Sequence, residues 1–124
     1  MFRSRHQTIR PHARADQPRD DLSDEDPDRA WAELGDHILW EAVTYGEWST
    51  DQRPFIHLPG VQTLDEVKAS GRYRFLTPDQ PIAEIRDSDN YGPLVMHPLV
   101  GGMPDDEAWK SVRLLTDKVL PALA

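Results

Sequence analysis

The residues in this chain whose types and spacing could do chemistry lie in one short run, His97-Pro98-Leu99-Val100-Gly101-Gly102-Met103. A histidine titrates near neutrality and can polarise a carbonyl or pass a proton. Two consecutive glycines let the backbone approach a ligand closely or adopt positive φ. The helix start that follows offers free N–H groups. His97, Gly101, Gly102 and Met103 are therefore candidate ligand contacts. The competing expectation is that His97 is a packed strand-end residue and that Gly101-Gly102 only make a tight strand-to-helix turn. Asp105-Asp106-Glu107 read as acids at the positive end of a helix. No catalytic residue is identified by the sequence itself.

Other chemistries are excluded or unsupported. The chain has no cysteine, which removes disulfides, thiolate catalysis and Cys-ligated metals. His6, His12, His37 and His57 have no partner at a spacing such as HxxxH, so no metal site is expected. There is no Ser/His/Asp arrangement and no phosphate-loop motif. The net charge of −8 argues against nucleic acid, because phosphate binding needs clustered Lys and Arg. No apolar run approaches the ~18–20 residues that span a membrane. The first 20 residues carry five Arg against two Asp and lack the apolar stretch of a secretory signal. Residues 1–25 are expected to be a disordered basic leader, and the cytoplasm is the expected compartment.

The elements that must position the candidate run follow from periodicity and caps. In DPDRAWAELGDHILWEAVTYGEW, Asp26 can cap and Pro27 fits the first helical turn. Trp31, Leu34, Ile38, Ala42 and Tyr45 form one apolar face. Trp40 falls on the opposite side among Glu33, Asp36 and Glu47, where a partner surface would explain it. Residues 51–62 read as a loop. Thr63-Leu64-Asp65-Glu66 is a capping-box pattern and Gly71 can end that short helix. Tyr73–Leu76 is a short extended piece. Thr77-Pro78-Asp79-Gln80 starts another helix to about Arg86, and 87–92 is a polar turn. Leu94–His97 is the best strand, without strict alternation, as expected when both faces are covered. The last helix runs from about 105 to 120 on a buried stripe of Ala108, Trp109, Val112, Leu115 and Val119, and Pro121 should stop it.

Three of these segments, DPDRAWAELGDHILWEAVTYGEW, GRYRFLTPDQ and PLVMHPLVGGMPDDEAWKSVRLLTDKVLPAL, occur in an order and spacing with a family resemblance. Together they resemble the carboxy-terminal part of the bacterial-luciferase-like flavin-dependent oxidoreductases. The resemblance implies an α/β fold: a carboxy-terminal fragment of a (β/α)8 TIM barrel, mostly helical, with one or two short parallel strands. Residues 26–124 would be a partial luciferase-like barrel, comprising an inserted helix at 27–48, the seventh helix, the eighth strand at 94–97 and the eighth helix at 105–120. The resemblance also implies that His97, Gly101, Gly102 and Met103 rim a substrate pocket, since the loop after the last strand faces the mouth of such a barrel. The family carries out redox chemistry or monooxygenation on a small organic substrate with reduced FMN or a deazaflavin. The excess of Arg over Lys, 11 to 3, leans towards the GC-rich genomes in which deazaflavins are common.

A closed barrel of this kind needs ~250 residues. The first six or so strands, which carry most of the flavin contacts in the family, have no counterpart here, so no cofactor residue is carried over. The chain is expected to be truncated, or one half of a split enzyme, and inactive alone. It would then associate with itself or with a separate amino-terminal half. The alternative is a non-catalytic remnant or interaction module that binds another chain.

Overall fold

The computed structural model describes residues 19–48, 60–88 and 94–124. It is an α/β fold, mostly helical, with two short parallel strands. β1 (Asp20–Ser23) pairs with β2 (Tyr73–Leu76) in the register Asp20↔Tyr73, Asp21↔Arg74, Leu22↔Phe75 and Ser23↔Leu76. On the other edge of β1, Asp21 N–H donates to the Val95 carbonyl at 3.1 Å, and its carbonyl accepts from His97 N–H at 3.0 Å. This makes a parallel bridge to Met96. β1 is therefore central, flanked by β2 on one side and by the Met96 segment on the other.

Helices cover both faces of this small sheet. The long helix α1 (Pro27–Trp48) begins as its sequence dictates, with Asp26 Oδ1 accepting from Arg29 N–H at 3.2 Å. Its residues Ala30, Leu34, Ile38 and Ala42 bury against Leu22, Tyr73 and Phe75. Trp31 is half-buried, edge-on to Phe75 with ring centroids 5.0 Å apart. The outer residue Trp40 is 63% exposed, as its place opposite the buried face requires. The short helix α2 (Leu64–Ser70) adds Val67 to the same core. Thr63 Oγ1 accepts from Glu66 N–H, and Gly71 ends the helix at φ 69°, so both capping signals hold.

The opposite face is polar where it meets helix. Asp21 and Arg74 pair there, and Arg74 reaches on to Glu84 of α3 (Asp79–Asp87). Helix α4 (Asp105–Leu114) packs on β1, with Ser111 Oγ accepting from Ser23 N–H at 2.8 Å. α4 runs through a π turn (Leu115–Val119) into α5 (Leu120–Leu123).

Three expectations need correction. Residues 20–23 are a buried central strand, not the end of a disordered leader. DDLS disguises this because Asp21 is neutralised by an arginine 53 residues away. Residues 1–18, the rest of that leader, lie outside the described residues, as do most of the 51–62 loop and the end of the 87–92 turn.

The Leu94–His97 stretch forms a single bridge at Met96 and not a full strand covered on both faces. Among the described residues it pairs along one edge, with β1, and Val95 is 47% exposed.

The stripe on the last helix is also displaced. Ala108, Ser111, Leu114 and Val119 are buried, whereas Trp109 is 59% exposed and Val112 and Leu115 are half-buried. Within the regular α4 the face that meets β1 is set by Ser111, which bonds Ser23, and this turns Trp109 outward. Pro121, whose ring cannot sit against the carbonyl four residues earlier, acts on the last turn alone. The helix is not stopped there; it widens, with Leu120 N–H bonded to the Leu115 carbonyl. A π turn advances less per residue than an α turn. It swings Val119 into line with Ser111 and Leu114.

Candidate functional site

Asp20 opens β1 and Tyr73 opens β2, directly opposite each other in the register. Alternation along a strand puts Asp20, Leu22, Tyr73 and Phe75 on the face that meets α1. There α1 presents Glu41, one turn beyond the buried Ile38 and itself only 7% exposed. Tyr73 Oη donates to Glu41 Oε2 at 3.0 Å. Gly101 N–H donates to Glu41 Oε1 at 3.4 Å. His97 completes the group: its Nε2 lies 3.6 Å from Glu41 Oε1 and its Nδ1 3.6 Å from Asp20 Oδ2.

The electrostatics follow from this packing. The Asp20 carboxylate, by hydrogen bonding, and the charge of Glu41 raise the His97 imidazole above its ordinary range, although partial burial opposes them. Burial first, and then the Glu41 carboxylate, push the Tyr73 phenol well above its usual value. Tyr73 therefore stays a neutral donor. The result is a proton-exchanging imidazole between two carboxylates, one buried and one half-exposed. Such a group can act as an acid or base near neutrality, and its carboxylate and imidazole atoms are of the kinds that ligate metals. Ligand atoms of Asp20, Glu41 and His97 all lie within 4.8 Å of one another.

The glycine turn is a second feature. Val100–Gly102 form a 3₁₀ turn in which Gly101 has φ 59° and Gly102 φ 72°. A Cβ on Gly101 would stand 1.8 Å from the His37 carbonyl oxygen, so this backbone lies directly on α1. His37 Nδ1 donates to the Gly101 carbonyl at 3.1 Å. Beside this contact is an open depression of about 510 Å³ lined by Asp36, His37, Trp40, Gly101 and Gly102.

The four residues read from the sequence as a pocket rim thus separate. Gly101 and Gly102 line the depression, His97 belongs to the carboxylate cluster, and Met103 is buried in the core at 3% exposure. Asp20, Glu41 and Tyr73 were not singled out. No local spacing could have found them, since they join His97 only through the parallel sheet and α1. Glu41 did leave one signal: it falls beside Ala42 on the buried face of the helix. His6, His12 and His57 lie outside the described residues.

The residues around the depression do not fit a flavin. FMN and the deazaflavin cofactor carry phosphate, and among the described residues the lining of the depression offers the Asp36 carboxylate and no Lys or Arg. The Gly101 N–H is already taken by Glu41. Among the described residues no helix is long and apolar enough to cross a membrane. Comparison with protein-family models, curated proteins and solved structures finds no match for this chain.

Proposed function

We propose that these residues supply the carboxy-terminal strand–helix units of a luciferase-like flavin-dependent oxidoreductase or monooxygenase acting on a small organic substrate in the cytoplasm. In this reading they form part of a (β/α)8 barrel and line the substrate side of its mouth. The flavin, FMN or deazaflavin, is held by strands outside these residues. The observation that carries the reading is the seat of Gly101 on the His37 carbonyl. It joins two of the three segments that bear the family resemblance, the inserted helix and the strand-to-helix turn. β2, from the third segment, packs on the same helix through Phe75 and Tyr73.

A second reading, a non-catalytic interaction module, is favoured by the strand order. Neighbouring strands of a (β/α)8 barrel are also neighbours in sequence, whereas here the first strand lies between the two later segments. Among the described residues no strand pairs with the backbone groups of Met96 that point away from β1, an edge that can accept another strand.

Titration of monodisperse protein with FMN and with the deazaflavin tests the first reading. The chain alone should bind either cofactor more weakly than ~1 mM, and a separately expressed amino-terminal half should restore binding. Micromolar binding by a monomer with turnover of reduced cofactor would overturn that division of labour. Stable binding of the partner half without any flavin uptake would favour the interaction module.

A further inference from the structure

The Glu41 carboxylate is buried, yet among the described residues its hydrogen bonds come from a neutral phenol and a long backbone contact. Among the described residues its ion pair is with His97. A buried carboxylate needs a cation or strong donors close by. Asp20 stands on the other side of the same imidazole, so two carboxylates share one histidine. A protonated His97 balances one of the two negative charges; a divalent cation balances both.

Both nitrogen–oxygen separations are 3.6 Å, one from each ring nitrogen, longer than a good charged hydrogen bond of ~2.8 Å. One ligand atom from each of Asp20, Glu41 and His97, the imidazole giving a single nitrogen, lies within 4.8 Å of the other two. Small side-chain rotations bring such atoms to the roughly 3.4 Å that separates two ligands of one zinc at ~2.0–2.1 Å in tetrahedral geometry. The three residues come from rigid places: the start of a central strand, the middle of the longest helix and a segment bonded to β1. Tyr73 Oη and Gly101 N–H orient the two oxygens of Glu41, as outer-shell donors orient metal-bound carboxylates. Asp20 and His97 are half-exposed, which gives an ion a way in and leaves room for water.

We propose that Asp20, Glu41 and His97 form a binding site for a first-row divalent metal ion of the zinc class. Each residue contributes one ligand atom, and water completes the coordination. One imidazole nitrogen with two carboxylate oxygens selects such an ion over Mg²⁺ or Ca²⁺, which take oxygen ligands. The site is independent of the flavin reading, since no residue of the cluster other than His97 belongs to the segment read as a pocket rim.

Calorimetric titration with Zn²⁺, and visible absorption on titration with Co²⁺, test the proposal on the full chain. The expected result is one ion per chain at micromolar affinity, with the d–d bands of a low-symmetry Co²⁺ site. Asp20→Asn and His97→Gln should each weaken binding at least tenfold while keeping the circular dichroism of the parent. Glu41→Gln should abolish it, and if that variant fails to fold the two others still decide. Affinity weaker than ~1 mM would overturn the site. Undiminished affinity in both Asp20→Asn and His97→Gln would also overturn it, placing the metal elsewhere, for instance on His6 or His12.

Discussion

Asp21 and Arg74 stand opposite each other across the β1–β2 pair, with Arg74 Nε 2.8 Å from Asp21 Oδ1 and Nη2 3.1 Å from Oδ2. The pair is buried, and Arg74 spends its remaining donors on Glu84 of α3. One guanidinium therefore holds two strands and a helix together. Removing one member of a buried pair leaves the other charge unbalanced, at a cost of ~3–5 kcal/mol. Arg74→Met and Asp21→Leu should each lower stability by about that amount in urea unfolding. The double variant should be less destabilised than the sum, and additive losses would contradict the pairing.

The two glycines of the turn should respond unequally. Both have positive φ, which costs an L-residue ~1–2 kcal/mol. Gly102 faces open space, so Gly102→Ala should lose only that amount. Gly101→Ala also drives a methyl into the His37 carbonyl and should lose about 3 kcal/mol or more. Thermal melts of the two variants read the ranking directly, and equal losses would contradict the close seat on α1.

On the last helix the sensitive residue is Ser111, not Trp109. Trp109 is largely in solvent, so Trp109→Ala should change stability by less than about 0.5 kcal/mol. Ser111→Ala strips the buried Ser23 N–H of its acceptor and should cost ~1–3 kcal/mol. Chemical denaturation of both variants checks which face of α4 meets β1.

In metal-free protein His97 should titrate above its ordinary value of about 6.5, measurable from its ring-proton shifts in NMR. The groups facing it are Asp20 from β1, Glu41 from α1 and, through Glu41, Tyr73 from β2. A folded-state value above the unfolded one stabilises fully below the unfolded value. That contribution is lost as pH rises through the folded value. The stability difference between the parent and His97→Gln should therefore be largest below the ordinary histidine value of about 6.5 and shrink as pH rises through the raised folded-state value. The imidazole is more than a third exposed, so solvent keeps the difference small.

Local signals carried most of the helical structure. Asp26-Pro27, the Thr63/Glu66 box and Gly71 mark ends that the backbone respects, because each satisfies orphaned amide groups within a few residues of itself. Phe75 and its neighbours were readable as extended for similar local reasons. β1 was not, since DDLS has the composition of a solvated tail until Arg74 and Ser111 are brought to it from far along the chain. The stripe of the last helix was not legible because a serine, Ser111, takes the buried place through its bond to Ser23, while the larger Trp109 beside it faces solvent. Of the candidate site, His97 and the glycines were visible from type and spacing. Glu41, Asp20 and Tyr73 acquire their meaning only from the parallel pairing that sets them around one imidazole.

The central position of β1 also orders events in time. A ribosome makes this strand before either of its neighbours, yet both strand edges it needs come later, Arg74 after 53 residues and Met96 after 75. At ~5–20 residues per second, several seconds pass before β2 alone has been made. During that interval Asp21 has no guanidinium and Leu22 no sheet, so the segment stays hydrated while α1 is already able to coil. This strand thus waits for both of its neighbours, and the sheet closes only when translation has passed residue 97. Slow codons or a pause before that point would lengthen the exposure of α1's apolar face to chaperones and to other nascent chains.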